Sequence, residues 1–99
     1  MNNKNNKKKV TKQQKNIINK RGPGIEIRLK DMIVQPRAIQ KEILRDSLEK
    51  AGGEVKKLSF RHWKEIEGLI KHGRKGNSVD LPGSIRASRT ESFLIFKRI

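Results

Sequence analysis

Apolar positions change period along this chain, and each change marks an element. Ile25, Ile27 and Leu29 alternate with Glu26, Arg28 and Lys30, the pattern of a strand with one covered face. The run is short, and Asp31-Met32-Ile33 could equally open a helical turn, so residues 25–34 read as an extended or irregular lead-in. From Pro36 the period lengthens. Ile39, Ile43, Leu44, Leu48 and Ala51 form one stripe at helical spacing. Pro36 suits the first turn of that helix, where a missing N–H costs nothing, and Gly52-Gly53 supplies a left-handed stop.

A second helix opens in Leu58-Ser59-Phe60-Arg61-His62. Ser59 is a good N-cap, and Leu58 with Trp63 has the spacing of a hydrophobic staple. Trp63, Ile66 and Ile70, with Leu69 beside them, make its buried face; Gly73 closes it, and Lys71 and His72 put positive charge in its last turn. Strand signals follow at Val79–Leu81, Ser84–Thr90 and Phe93–Lys97. Pro82-Gly83 fits the centre of a type II turn, where proline sets the first φ and glycine accepts a positive second one. The expectation is an α+β unit: two amphipathic helices followed by a small antiparallel sheet or hairpin.

Composition sets the boundary upstream. Residues 1–21 carry Lys4, Lys7, Lys8, Lys9, Lys12, Lys15, Lys20 and Arg21, no acid, and only Val10, Ile17 and Ile18 as aliphatic residues. Such a stretch buries too little apolar surface to offset its ordering entropy. A disordered, basic Lys/Asn-rich tail over 1–24 and a folding unit over 25–99 are expected. The net charge is +15, of which the tail accounts for 8 and the remainder for 7. A surface this basic suits a polyanion, nucleic acid or an anionic membrane. No apolar run approaches the ~20 residues needed to span a bilayer, and the tail has neither the apolar centre of a signal peptide nor the Arg/Ser bias of a transit peptide. The cytosol is the expected compartment, and no membrane partner is expected. There is no cysteine, which excludes disulfides, thiol catalysis and cysteine–zinc sites. His62 and His72 lack metal-spaced partners and read as solvated helix residues.

Catalytic motifs are lacking. The only Gly-Gly, in Ala51-Gly52-Gly53-Glu54, follows a helix and has none of the Asp and Ser of an ATP pyrophosphatase loop. Gly68 to Lys75 spaces its glycines like a Walker A loop, but Arg74-Lys75 stands where Lys-Ser/Thr is required and Gly68 lies inside a predicted helix. Glu65 and Glu67 are two apart on a helix and do not face each other. The basic residues are the positive signal. They group as an Arg37/Lys41/Arg45 stripe on the first helix, Arg61 and Lys64 on the second, the loop containing Lys71, Arg74 and Lys75, and the strand positions Arg86 and Arg89. Acids intermingle on both helices, whereas Lys71 to Ser78 has none and is flanked by glycine, so its backbone can approach phosphate closely. Trp63 lies on an apolar stripe and is expected in the core; Phe93 and Phe96 fall on opposite faces of their strand. RNA recognition is therefore expected to rest on shape and backbone rather than base stacking.

Taken in order, Pro36-Arg37-Ala38-Ile39-Gln40 with Leu44, Leu58-Ser59-Phe60-Arg61-His62, Gly73-Arg74-Lys75-Gly76, and Asp80-Leu81-Pro82-Gly83 followed by Ile85-Arg86 resemble the domain that follows the catalytic domain in tRNA(Ile)-lysidine synthetases. The resemblance covers about residues 27–99. It implies a domain that helps to hold isoleucine tRNA. In that family a separate ATP pyrophosphatase domain uses ATP and Mg to adenylate the wobble cytidine, and lysine then displaces AMP. Nothing in this chain resembles that catalytic domain, so no cofactor and no active site are expected here. Gln35 stands where the family usually has an apolar residue, Ser84 where a second glycine is common, and Trp63 where a smaller aliphatic residue is usual. Three functions are consistent with the sequence: a tRNA-binding domain or fragment working with a separate catalytic domain, a free-standing basic nucleic-acid-binding protein, and a ribosome-associated protein.

Overall fold

In the computed structural model, which describes residues 17–73 and 76–99, five strands form one antiparallel sheet and helices cover one of its faces. The first strands are β1 (Ile18–Arg21) and β2 (Gly24–Arg28), joined by a two-residue hairpin loop. Gly22 takes φ 56° there, which matches the loop's twist to that of the strands. A single turn of helix, α1 (Leu29–Met32), follows directly. Residues 25–34 are thus both a strand and a helical turn, in that order.

The first long helix, α2, spans Arg37–Lys50, with Pro36 as the N-cap rather than inside the first turn. Its end is a Schellman motif. Gly53 N–H donates to Leu48 O (2.8 Å) and Gly52 N–H to Glu49 O (3.0 Å), with Gly52 at φ 95°. A 3-10 turn at Val55–Lys57 leads to α3 (Phe60–His72). Ser59 caps α3 as expected, and the cap is reciprocal: the Ser59 N–H donates to His62 Nδ1 at 2.9 Å while the His62 N–H donates to Ser59 Oγ at 3.3 Å. His62 takes the place Glu or Gln holds in a capping box. Strands β3 (Ser78–Leu81), β4 (Ile85–Arg89) and β5 (Phe93–Arg98) complete the chain.

Strand order in the sheet is β1-β2-β5-β4-β3. The last strand therefore lies in the middle, paired with β2 through Ile27↔Leu94 and with β4 through Ala87↔Phe96. This departs from the sequence reading, in which the sheet follows the helices. Two strands precede them, and residues 18–21, assigned to the tail, form an edge strand, with Ile17 buried beside it. An edge strand needs an apolar partner on one side only and pairs through its backbone, so Asn19, Lys20 and Arg21 do not prevent it. Residues 1–16 of the expected tail lie outside the described residues.

One sheet face carries Ile25, Ile27, Ile85, Ala87, Leu94 and Phe96, and all are buried. Ile43 and Leu48 of α2, Ile66 and Leu69 of α3, and Met32 of α1 close over them. Ser47, fully buried among these, donates to Ile43 O at 2.7 Å, so its hydroxyl is satisfied within α2. The two glycine signals meet: a Cβ on Gly83 would lie 2.8 Å from the Glu54 nitrogen, which packs the β3–β4 turn directly on the α2 stop.

Candidate nucleic-acid interface

The basic residues predicted from sequence separate into groups with different surroundings. Arg37, Lys41 and Arg45 all lie exposed on α2. Arg37 is 3.3 Å from Glu67 on α3, an ion pair that ties the two helices together at the surface. Lys41 reaches across to α3 and places its ammonium 5.3 Å from the centre of the Trp63 ring. Among the described residues no acid pairs with Arg45. On α3, Arg61 stands 3.8 Å from Glu65 and Lys64 stands 3.9 Å from Glu67. These exposed contacts leave both charges available to a ligand, because such pairs contribute about 1 kcal/mol or less. Lys71 is exposed at the end of α3.

The two strand cations are differently engaged. Arg86 donates from Nε to Asp80 Oδ1 at 2.7 Å and from Nη2 to Asp80 Oδ2 at 3.3 Å, a bidentate pair between directly opposed β3 and β4 residues. The hydrogen bond from Arg86, reinforced by its charge, holds the Asp80 carboxyl below its ordinary range, and the same bond raises the guanidinium. Arg89 points under α3. Its guanidinium donates to the carbonyls of Leu69 and Ile70, with Nε directed at Thr90 O. It therefore closes the last turn of α3, where the Leu69 carbonyl also accepts from Gly73 N–H and negative dipole charge collects. Its site is a structural one, part-buried and turned toward the protein's own backbone. Arg74 and Lys75 lie outside the described residues; the described part of their loop is fastened to β4 by Gly76 N–H to Arg89 O (2.8 Å) and Arg89 N–H to Asn77 O (2.9 Å).

What the fold brings together is a groove between α2 and α3. It encloses about 410 Å³ and is lined by Arg37, Ala38, Gln40, Lys41, Leu44, Trp63, Glu67, Ile70 and Lys71. Leu44, Trp63 and Ile70 supply an apolar floor, three cations stand around it, and Glu67 is the single carboxylate. Trp63 is only partly buried, packing on the edge of the core with Leu58 and Ile70. The sequence expectation of a core tryptophan is thus corrected: Trp63 packs against the core but is only partly buried. Phe60, not singled out by sequence, is 78% exposed, with the Lys64 ammonium 5.8 Å from its ring centre. The signal was present in its position immediately after the cap Ser59, where the first helical residue can face outward. Phe93 is partly exposed and Phe96 buried, as their opposite faces require.

Among the described residues no cluster of three or more His, Asp or Glu is placed to hold a metal ion, and no helix is long and apolar enough to cross a membrane. No family model, no curated protein and no solved structure matches the chain.

Proposed function

We propose that this chain is an RNA-holding module that binds tRNA, with isoleucine tRNA the ligand implied by its resemblance to the domain that follows the catalytic domain of lysidine synthetases. In that reading a separate ATP pyrophosphatase domain performs the chemistry, and this chain positions the substrate. The observation that carries the reading is the helix layer: Arg37, Lys41 and Lys71, drawn from two helices, line one groove, and Arg45 extends the row along α2. Phosphate contacts from such a row orient a nucleic acid without reading its sequence. Of the strand cations, Arg86 pairs with Asp80 at the surface and Arg89 turns to the Leu69 and Ile70 carbonyls.

The test is binding to isoleucine tRNA, a second tRNA and duplex DNA of equal charge across a salt series. Preference for tRNA that persists at ~0.2 M salt supports the reading, and equal binding that vanishes with salt reduces the chain to a basic surface. Replacing Lys41, Arg45 and Lys71 together with alanine is expected to make the salt slope shallower by about 2–3, at roughly 0.7–0.9 per lost phosphate contact.

A further inference from the structure

We infer that the groove between α2 and α3 is a site for one unstacked nucleotide of a single-stranded RNA segment, with its base laid on Trp63. This inference rests on the RNA-holding reading and adds to it a ligand class that the sequence argues against, since base stacking is not expected from the sequence.

The size and chemistry of the groove agree with such a ligand. Its volume of about 410 Å³ lies near the lower end of small-ligand pockets, roughly 300–1,000 Å³. The floor is apolar and includes one flat ring, while the rim is cationic on both helices. A nucleotide has the same division: a planar base with a π face, and phosphates on either side. Trp63 is partly buried and packs against the core, which holds the ring at the groove floor. Lys41 stands over the ring at 5.3 Å, the place a base would take, and its flexible stem lets the ammonium swing outward to a phosphate. Glu67 holds Arg37 across the groove at 3.3 Å and so positions a second phosphate donor. Aromatic platforms combined with a basic groove are how proteins bind single strands without sequence preference. A base inside a duplex cannot reach the ring.

Trp63 is the single tryptophan of the chain, so its fluorescence reports on this groove alone. The intact chain is titrated with a single-stranded pyrimidine decamer RNA and with an RNA duplex of equal phosphate count. Binding is followed independently by the anisotropy of a label on the RNA. The single strand is expected to quench Trp63 in step with binding, and the duplex to bind without quenching. Trp63→Leu is expected to lower single-strand affinity by roughly 5- to 150-fold, the range of a lost base–aromatic stack, with duplex affinity unchanged. Lys41→Gln, a surface change, weakens single-strand binding while leaving Trp63 in place to report quenching. If both RNAs bind and neither quenches, the groove assignment falls and the RNA-holding reading stands. If neither RNA binds, the groove assignment falls, and the tRNA titration alone decides the RNA-holding reading. Equal quenching by an acidic, leucine-containing peptide of the same charge would make the groove a peptide site and overturn the assignment.

Discussion

Ser84 shows how one residue can sit against its local preference. It follows Pro82-Gly83 with φ 59°, while Gly83 already takes φ 90°. The expected turn is present, but the loop runs one residue further, because Leu81 pairs with Ile85. A left-handed backbone costs a residue with a Cβ roughly 1–2 kcal/mol. Ser84→Gly is therefore expected to stabilise the protein by about 0.5–1 kcal/mol after the extra entropy of glycine is offset, seen as a higher denaturant midpoint at unchanged slope. The Asp80–Arg86 pair gives a prediction in pH. Because the folded carboxyl is depressed, its contribution is present above the ordinary carboxylate range and is lost as pH falls through the lowered value. Asp80 should titrate below the ordinary range of an aspartate in an NMR pH series, and Arg86→Ala should move it upward. Both groups are exposed, so the effect on stability is small.

Elements were legible where capping chemistry and periodicity agreed. Ser59, Gly52-Gly53 and the apolar spacing from Ile39 to Ala51 are all local signals, and α2 and α3 follow them closely. The orientation of Trp63 was not local: the ring lies on the apolar side of α3, but only the approach of α2 determines how much of it is covered. The same limit applies to Arg89, which sequence groups with the RNA-binding candidates and the fold turns toward the Leu69 and Ile70 carbonyls. Arg89→Met should cost about 1–3 kcal/mol in denaturant unfolding by removing charged hydrogen bonds to the end of α3, with the salt slope of RNA binding unchanged. Arg45→Ala should do the reverse, leaving stability alone and lowering the slope.

At the scale of the molecule, the sheet is closed by pairing between chain segments far apart in sequence. β5 lies between β2 and β4, so the central strand is the last to be made and the stretch before the helices is needed to complete the layer. Removing residues 1–21 should strip β1 and Ile17 and leave β2 as an open edge. The expected cost is about 2–4 kcal/mol from the lost apolar burial, with concentration-dependent association of the exposed edge, visible by size-exclusion chromatography.

The sequence by itself determined the two long helices, the centre of each buried stripe (Ile43, Leu44 and Leu48; Ile66 and Leu69), the Pro82-Gly83 turn and the basic excess, because capping, periodicity and charge act over a few residues. Tertiary structure alone decided that Ile18–Arg21 joins the sheet, since an edge strand is selected by its partner's backbone rather than by its own side chains. It also decided which cations face outward and which complete the fold. Arg37, Lys41 and Lys71 come from separate turns of two helices, and only the packing of those helices on a common sheet places them around one tryptophan ring.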